Sequence, residues 1–442
     1  MFLPEKVKKI ISMLEDSGFE AFAVGGCVRD SLLGKEPTDY DITTSALPEE
    51  TKEVFKNEHI IETGIKHGTV TVLMESEPFE ITTFRIDKDY LDNRRPEKVL
   101  FTRSLEEDLA RRDFTINAMA YSEKTGLIDV FGGASDLEHG IIRTVGDADT
   151  RFNEDALRIM RALRFSSVLG FEIEEKTAVS IRRNCGLLKN ISSERIFSEL
   201  GKLLCGKNAQ KVIFTHYDTI FEVIPELSVL KGFEQHHFRH HLDAFEHTLA
   251  VLKNVPPVPE LRFAAFFHDI GKPFCQSFDE SGTGHYYGHA QKSAGIAETV
   301  LRRLKADSET IKTVSELVRR HEDRFEPNPK AVKRLLGKIG PELFEKLLLL
   351  MEADEMGKRE EFRLQKSVFE EFRIIEKEII EKNECFMLKD LAINGSDLIS
   401  AGFEPGPEMG KTLETLLEKV IEDEIPNERE ALLSFAKSVF IL

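Results

Sequence analysis

The chain has 442 residues, which is enough for two to four domains with a sizeable core. Hydrophobic residues account for 41% and charged residues for 31%, a balance typical of globular proteins, and no apolar run approaches the roughly 20 residues that cross a bilayer. A net charge of −18 excludes a surface that is basic throughout, so any nucleic acid would have to contact local basic patches.

Two features bear on where the protein works. Val7, Ile10, Ile11 and Leu14 recur at helical spacing among charges, which predicts an amphipathic helix and not the uninterrupted core of a signal peptide. The five cysteines are scattered without a Cys-x-x-Cys pair, which argues against a structural zinc and indicates a reducing compartment. We therefore expect a cytoplasmic protein with no membrane partner.

A glycine-rich turn follows the first predicted strand. An apolar run from Phe22 to Val24 leads into Gly25 and Gly26, and a helix from about Cys27 carries Arg29 and Asp30. Glycines let backbone N–H groups approach an anion closely, and the start of a helix adds a partial positive charge. The turn is therefore a candidate nucleotide-binding site, although Gly-Gly alone is also ordinary turn chemistry.

Two carboxylates follow on the next predicted strand. Asp39 and Asp41 are two residues apart, so on a strand both side chains face the same way. Paired carboxylates suit two Mg²⁺ ions, which would activate an attacking hydroxyl and neutralise a leaving pyrophosphate. We therefore predict Asp39 and Asp41 as catalytic residues, against the plainer alternative of a solvated acidic turn.

The order Gly-Gly-x-Val-Arg-Asp, followed by Asp-x-Asp, resembles the nucleotidyltransferase superfamily that includes DNA polymerase beta. Within it, the sequence is similar to the class II tRNA nucleotidyltransferases, which comprise the bacterial CCA-adding enzymes and their poly(A) polymerase relatives. The resemblance is near-continuous over residues 20–205. It implies an α/β head with a two-metal site, and tRNA, ATP and CTP as binding partners.

The rest of the head is predicted as a helix from Pro48 to Lys56 and three β-rich runs, HIIETG, GTVTVLM and FEITTFR. Glu80, in the last run, stands where a third carboxylate flanks the metal pair in the superfamily. Residues 86–105 are polar and aperiodic and predict a mobile loop. In the family, a full-length loop at this place favours an enzyme that can add A.

Next, Arg111, Arg112, Asp113 and Asn117 match the family motif Arg-Arg-Asp-x-x-x-Asn. A guanidinium of Arg111 or Arg112 can bind triphosphate oxygens through its forked donors, while Asp113 and Asn117 can hold a ribose or brace the site. The plainer alternative is a helix end that carries surface charge.

The remainder of the chain is predicted to be mostly helical. A set of charged residues falls at spacings of three and four, which places them on one helix: Glu154, Asp155, Arg158, Arg161 and Arg164. Glu154-Asp155-x-x-Arg158 matches the nucleotide-selecting motif of the family. A carboxylate and a guanidinium together complement the amino donor and ring-nitrogen acceptor that cytosine and adenine share, whereas uracil and guanine reverse that polarity. The continuing arginines would reach the phosphates of the incoming nucleotide.

Histidines concentrate between residues 231 and 358 in an order that resembles the HD superfamily of metal-dependent phosphohydrolases. Carried over from that superfamily, one divalent metal would be bound by His247, His268, Asp269 and Asp354, and His289 and His321 would add a second. The alternative is a helical spacer that has lost this activity. The run HHFRHH, residues 236–241, is predicted to be an exposed loop and not a ligand set.

Several further segments are candidates for contact with RNA. Three basic patches could contact RNA: Arg94–Arg95, Arg182–Arg183 and residues 319–338. For each patch, an ordinary solvated helix face is an equally good explanation. Near the C-terminus, backbone N–H groups of residues 406–410 could hold a phosphate at a helix start.

We predict a polymerase-beta-like α/β head over residues 1–137, a helical neck over 138–225, an HD-like helical domain over 226–365 and a helical tail over 366–442 that contacts tRNA. The resemblance implies template-independent addition of C, C and A to tRNA 3′ ends from CTP and ATP, with release of pyrophosphate. The alternatives are an enzyme that adds A or poly(A) with the same head, and a phosphohydrolase acting on RNA ends or cyclic phosphates. The oligomeric state is left open.

Overall fold

The computed structural model describes residues 3–62, 64–90 and 96–440. It divides into two compact units, the first made of residues 1–228 and 303–306 and the second of residues 229–302 and 307–442. The predicted fold class, an α/β head followed by a mostly helical remainder, is confirmed. The predicted domain boundaries at residues 137, 225 and 365 stay predictions.

A seven-stranded mixed sheet forms the head. Its strands in chain order are β1 (Ala21–Val24), β2 (Asp41–Thr44), β3 (His59–Ile61), β4 (Thr69–Met74), β5 (Glu77–Thr83), β8 (Met119–Ser122) and β9 (Gly126–Asp129), with β6 and β7 in a separate ribbon. In space the order is β3-β4-β5-β2-β1-β8-β9. Strands β2 and β5 are parallel, whereas β1 is antiparallel to both β2 and β8. This arrangement places the first two strands at the centre of the sheet.

Burial along the strands explains why these segments pair. All four residues of β1 are buried, as expected of a central strand covered on both faces, whereas β4 alternates buried and half-buried positions. Helix α1 (Glu5–Asp16) buries Val7, Ile10, Ile11 and Leu14, the four positions that its periodicity predicts.

The prediction of an irregular loop over residues 86–105 is wrong for the described residues, and its mobility stays a prediction. Strands β6 (Arg85–Tyr90) and β7 (Pro96–Phe101) form an antiparallel ribbon in which Arg85 faces Phe101 and Ile86 faces Leu100. Cross-strand hydrogen bonds pair the backbones whether or not a face of the ribbon is buried, so two polar segments can form strands without a hydrophobic period in their sequence. The Arg94–Arg95 patch lies outside the described residues.

The remaining helices and short strands of the first unit are α2 (Gly26–Leu32), α3 (Pro48–Val54), α4 (Leu105–Ala110), α5 (Gly133–His139), β10 (Ile141–Ile142), α6 (Ala148–Glu154), α7 (Leu157–Leu169), β11 (Glu172–Ile173), α8 (Glu175–Asn184), α9 (Ser193–Leu204), α10 (Ala209–Thr215) and α11 (Tyr217–Val223). The two short strands pair in parallel.

The single helix expected to carry Glu154, Asp155 and Arg158 is wrong. Helix α6 ends at Glu154 and α7 begins at Leu157, with Asp155 in an extended conformation between them. The Asp155 carboxylate accepts a hydrogen bond from the backbone N–H of Leu157 at 3.1 Å. Short polar side chains compete with the helix in this way, because they offer the backbone an alternative partner.

The second unit contains α12 (Ala244–Asn254), α13 (Pro259–Phe267), β12 (Ser277–Phe278), β13 (Gly284–His285), α14 (His289–Arg303, whose last residue is assigned to the first unit), α15 (Ser308–Arg320), α16 (Pro329–Ile339), α17 (Pro341–Met356), α18 (Lys366–Glu381), α19 (Gly395–Ser400), α20 (Pro407–Ile421) and α21 (Arg429–Phe440). Every helix of the described chain is too short or too polar to span a bilayer.

Candidate active site

The turn after β1 is shaped by the absence of a side chain at Gly25. This residue has φ of 77°, and a Cβ atom built on it would lie 2.9 Å from Nη1 of Arg112 and 3.9 Å from Oδ2 of Asp41. Glycine adopts this conformation without the steric cost that other residues incur. The turn therefore brings the predicted phosphate-binding guanidinium and a predicted metal ligand to one point, where helix α2 begins.

The carboxylates lie at the end of the central strands. Asp41 is the first residue of β2 and pairs with Val24, whereas Asp39 precedes the strand and is not part of it, contrary to the prediction. Ile42 pairs in parallel with Ile81, so Asp41 and Glu80 each come one residue before this pair in adjacent strands. Asp39, Asp41 and Glu80 line an open cleft of about 680 Å³.

The electrostatics of this cleft fit a bound cation. Loss of hydration raises the pKa of Asp41 although the cleft stays open to solvent, Arg112 opposes the rise, and the charge of Asp39 adds to it. Two carboxylates that line one cleft repel each other, and a hard cation that prefers oxygen ligands relieves this repulsion. The donor chemistry therefore fits Mg²⁺, with Asp39 and Asp41 as ligands and Glu80 beside them.

Behind the turn, a buried network joins α2, α7 and the segment after α4. Asp113 accepts hydrogen bonds from Nδ2 of Asn117 at 3.1 Å and from Nε of Arg161 at 2.7 Å, while Arg29 donates to Oδ1 of Asn117 at 2.7 Å. Burial alone would raise the pKa of Asp113, but Arg161 and Asn117 outweigh it and lower that pKa to about 2. These contacts favour bracing, one of the two roles predicted for Asp113 and Asn117, and the role itself stays a prediction.

Arg111 and Arg112 differ in how closely their guanidinium groups bind other residues of the chain. Arg111 binds the fully buried Asp108 at 2.9 Å, whereas Arg112 lies 3.7 Å from the same carboxylate. Nε of Arg112 is buried and has no hydrogen-bond partner in the described part of the chain. Arg112 is therefore the better candidate to bind an anion at the Gly25 turn.

The predicted base-reading pair is not formed directly. Arg158 is buried and donates to Oε2 of Glu154 at 2.6 Å and to the carbonyl of Arg111 at 2.8 Å. Asp155 instead forms an ion pair with Arg195 of α9 at 2.9 Å. The sequence pattern gave no sign of Arg195, because only the tertiary fold brings α9 against the break between α6 and α7.

A second residue that the sequence did not single out is Phe165. The centre of its ring lies 4.1 Å from the guanidinium carbon of Arg164, 5.1 Å from that of Arg29 and 5.4 Å from that of Arg161. Arg164 also pairs with the buried Glu199 at 3.0 Å. Cation–π contacts of this kind orient guanidinium groups without neutralising them.

The second unit contains a His/Asp cluster, defined by His247, His268, Asp269, His289, His321 and Asp354. Its members form two groups whose ligand atoms lie within 4.8 Å of one another, His247 with His268 and Asp354, and Asp269 with His289 and His321. One oxygen of Asp269 lies 3.2 Å from Nε2 of His268, and the other lies 3.2 Å from Nε2 of His289. Asp269 therefore stands between the two groups.

The imidazoles of the cluster are oriented by the backbone. Nδ1 of His268, His289 and His321 lies 2.7–2.9 Å from the carbonyls of Ala265, Tyr286 and Val318, respectively. Such bonds fix the ring so that Nε2 is free to bind a metal, which is the usual outer support of metal-ligating histidines. The buried cluster, with four imidazoles and two carboxylates, fits divalent metal binding.

Two lysines form ion pairs with the carboxylates of the cluster. Lys272 binds Asp269 at 2.7 Å and Lys358 binds Asp354 at 2.9 Å. Burial alone would raise the pKa of Asp269 and of Asp354, but the surrounding histidines and lysines lower both well below the usual value. Both carboxylates are therefore ionised, the form that ligates a metal.

Three stretches of the chain match known family profiles. Residues 21–143 match the profile described as "Poly A polymerase head domain", residues 170–228 match "Probable RNA and SrmB- binding site of polymerase A", and residues 289–436 match "tRNA nucleotidyltransferase domain 2". The first contains the Gly25 turn and the carboxylate cleft.

Curated relatives extend the similarity to the whole chain. A CCA-adding enzyme of Limosilactobacillus fermentum is 35% identical over 435 residues, which cover 98% of this chain and 96% of the relative. A CCA-adding enzyme of Latilactobacillus sakei is 37% identical over 453 residues, with 99% of both chains covered. The chain belongs to the CCA-adding enzyme family.

Solved structures of CCA-adding enzymes agree with this assignment. The Bacillus stearothermophilus CCA-adding enzyme in complex with CTP is 30% identical, with a TM-score of 0.73 and 99% of this chain and 98% of the other covered. A Thermotoga maritima CCA-adding enzyme complexed with tRNA, at 23% identity and a TM-score of 0.59, supports the fold alone. The predicted family and enzyme class are confirmed, while the roles of single residues stay predictions.

A substitution at the Gly25 turn tests its part in a CCA-adding enzyme. We expect Gly25→Ala to raise the KM for CTP and ATP about tenfold, because the new Cβ displaces Arg112 and the positive φ adds strain of about 1–2 kcal/mol. Steady-state incorporation into tRNA gives the KM. The matched control is Gly126→Ala, which has φ of 73° but open space around its Cβ. If both variants raise the KM equally, strain and not the displaced arginine is responsible.

Proposed function

We propose that this protein adds C, C and A to the 3′ ends of tRNA from CTP and ATP and releases pyrophosphate. Family membership along the whole chain supports this activity, since the relatives named above are CCA-adding enzymes. The observation that carries the proposal is the convergence of the Gly25 turn, Arg112 and Asp41 at one point of the central sheet. A cytoplasmic location belongs to the same proposal and agrees with five free cysteines.

Different residues of the head would bind the triphosphate, support the site and hold the metal ions. Arg112 and the turn at Gly25 would bind the triphosphate, while the braced network of Arg29, Asp113 and Asn117 holds α2 and the neighbouring segments in place. Asp39 and Asp41 would hold two Mg²⁺ ions, which when bound stabilise the charge on the attacking and leaving oxygens. Attack of the tRNA 3′ hydroxyl on the α-phosphate would be in line, and no covalent enzyme intermediate is required.

The decisive experiment supplies the purified protein with tRNAs that end before CCA, after C and after CC, each with a single nucleotide. We expect CTP alone to extend the first two substrates and ATP alone to extend the third. Incorporation of A onto the CC form, without any incorporation of C, would reject CCA addition in favour of an A-adding enzyme.

Base selection is expected to depend on Asp155 and on its partner Arg195. Because the ion pair at 2.9 Å holds the Asp155 carboxylate, loss of either side chain should increase misincorporation of UTP or GTP. For Asp155→Ala we expect about a tenfold increase relative to CTP, as for one lost base contact. The ratio of UTP or GTP to CTP incorporation measures this increase, with Lys56→Ala, an exposed lysine of the head paired with Glu53, as the control. Unchanged C and A preference in Asp155→Ala would remove the base-reading role.

A second activity, metal-dependent phosphoester hydrolysis, is favoured by the His/Asp cluster. Its four imidazoles and two ionised carboxylates meet in one buried place, which is a costly arrangement for a structural spacer without a metal. We therefore propose that the cluster binds divalent metal and hydrolyses phosphoesters of RNA ends or of 2′,3′-cyclic phosphates.

The two activities separate by substitution. We expect Asp269→Ala to abolish phosphate release and to reduce bound metal, while CCA addition persists, because Asp269 contacts both ligand groups of the cluster. The converse is expected of Asp39→Ala. Metal content from elemental analysis and phosphate release are the two measurements, and unchanged metal content in Asp269→Ala would contradict the assignment of this site.

A further inference from the structure

The loop before α12, residues 235–240, contributes a guanidinium to the cavity over the His/Asp cluster. This cavity has a volume of about 400 Å³ and is lined by Asp269, His321 and Asp354 together with Arg239 and Tyr287 of the surrounding loops. A volume of this size is suitable for a small ligand. The sequence pattern predicted the loop to be exposed, but Arg239 and His240 are half-buried in the cavity wall.

The loop is held in place on both sides. The carbonyl of His236 accepts a hydrogen bond from the N–H of Gly284 at 2.7 Å, and the carbonyl of Arg239 accepts one from the N–H of Arg359 at 2.9 Å. Oε1 of Gln235 accepts a hydrogen bond from Lys272 at 2.8 Å. Arg239 is therefore positioned by the backbone rather than by a partner for its charge.

The cations around the cavity differ in what they bind. Lys272 and Lys358 are paired with Asp269 and Asp354. Arg239 has no carboxylate partner among the described residues, and its Nε is buried without a hydrogen bond. Its guanidinium lies 5.8 Å from the centre of the Phe238 ring, a contact that leaves its charge uncompensated. A buried donor of this kind is satisfied by an anionic oxygen, and guanidinium matches phosphate through two parallel bonds.

Aromatic rings at the same cavity extend the match beyond a phosphate group. Phe238 is 53% exposed and Tyr287 is 80% exposed, although both are large hydrophobic side chains. Each ring already stacks on a histidine: the ring centres of Phe238 and His237 are 4.4 Å apart, and those of Tyr287 and His285 are 5.5 Å apart with planes 5° from parallel. Exposed rings next to a cationic groove are the usual platform for nucleobases.

We propose that Arg239 binds the phosphate group of a nucleoside phosphoester and that Phe238 and Tyr287 stack its base, which makes the cavity specific for nucleotides. The proposal rests on the phosphohydrolase activity proposed above and names its substrate class. In that reaction the water oxygen forms a bond to phosphorus, the bond from phosphorus to the ester oxygen breaks, and the proton released by water ends on the leaving alkoxide. From a monoester the products are an alcohol and inorganic phosphate, and from a 2′,3′-cyclic phosphate the product is a monoester with one free hydroxyl; no group is oxidised or reduced. A free nucleotide and the 3′ end of an RNA share this chemistry.

The test uses full-length protein with Mn²⁺ and three substrates: adenosine 3′-monophosphate, an RNA oligonucleotide with a 3′-phosphate, and glycerol 2-phosphate, which has no ring. We expect Arg239→Ala to raise the KM for all three at least about tenfold, the loss expected for a hydrogen bond to a charged group. Arg239→Lys should recover part of this loss, because it keeps the charge without the fork. Hydrolysis of only the nucleotide or only the RNA identifies the source of the substrate.

Base stacking has its own readout. Phe238→Ala and Tyr287→Ala should lower kcat/KM for the nucleotide and the RNA about fivefold or more and leave glycerol 2-phosphate unchanged. The matched control is Arg302→Ala, an exposed arginine of α14 that pairs with Glu298. Equal losses on the ringless substrate would overturn the stacking part of the proposal.

Failure of the inference and failure of the activity are distinguishable. If Asp269→Ala abolishes hydrolysis while Arg239→Ala keeps the wild-type KM, the role of Arg239 is overturned and the phosphohydrolase stands. If no substrate is hydrolysed by the wild-type protein, the activity fails, and equilibrium dialysis of adenosine 3′-monophosphate with the head saturated by CTP decides the role of Arg239. Undetectable binding, or equal binding by the wild type and Arg239→Ala, overturns the inference.

Discussion

Substituting Asp41 by Asn is expected to reduce nucleotide incorporation at least about 10³-fold, which corresponds to about 4 kcal/mol of lost transition-state stabilisation. Asp41 begins the central strand β2, lies near Arg112 at the Gly25 turn and lines the same cleft as Glu80. The substitution keeps the shape of the side chain and removes its charge, so the cleft keeps its form but loses the attraction for a divalent cation. Radiolabelled CTP incorporation into tRNA lacking CCA, titrated with Mg²⁺, measures the effect.

The control for this prediction comes from the other unit. Asp269→Asn changes a carboxylate of the His/Asp cluster in the same way and should leave incorporation of C and A unaffected. CTP binding by the Asp41 variant should persist, because Arg112 and the glycine turn remain. If Asp41→Asn retained more than a tenth of the wild-type rate at saturating Mg²⁺, Asp41 would not be a catalytic ligand.

The second large effect is expected on stability. Asp113→Asn should lower the free energy of unfolding by about 3 kcal/mol, because the substitution leaves Arg161 without the carboxylate that lies 2.7 Å from its Nε. Asp113 is 7% exposed, so water cannot replace the lost charge. Urea unfolding followed by circular dichroism measures this difference. The exposed Asp147→Asn, at the N-terminus of α6, is the control and should change stability by less than about 0.5 kcal/mol, since asparagine caps helices as well as aspartate does.

The same carboxylate predicts the direction of a pH effect. The pKa of Asp113 falls from its usual 3.8 to about 2 in the folded protein. Its contribution is therefore fully present above the unfolded pKa and is lost as the pH falls from about 4 through about 2, with a total of about 2 kcal/mol. The difference in stability between wild type and Asp113→Asn should shrink between about pH 5 and pH 3. A constant difference over this range would show that Asp113 is not held ionised by Arg161.

The head was largely predictable from local patterns. A buried strand, two glycines, a helix and an Asp-x-Asp run follow each other within about twenty residues, and each has a local physical reason. The loop prediction for residues 86–101 was wrong because it relied on local patterns in the same way. The strands β6 and β7 pair with each other, so their polar side chains carry no hydrophobic period, and the pairing is invisible to a search for one buried face.

The break between α6 and α7 shows that residue spacing does not by itself determine which side chains meet. Residues three apart are neighbours on a helix, and this rule predicted contact between Asp155 and Arg158. The helix breaks between them because the Asp155 carboxylate bonds to the N–H of Leu157, and the acid then pairs with Arg195, forty positions along the chain. The spacing of residues along one chain does not indicate a partner that is forty positions away.

By itself the sequence determined the family, the α/β head, the candidate metal ligands Asp39 and Asp41 and the order of the His/Asp motif, since these rest on residue type and on neighbours in the chain. The tertiary structure decided which charges meet: Arg112 with the Gly25 turn, Asp155 with Arg195, and Arg239 with a cavity over the cluster. The physical reason is that electrostatic partners are set by distance in space, and folding brings together side chains whose separation along the chain carries no information about that distance.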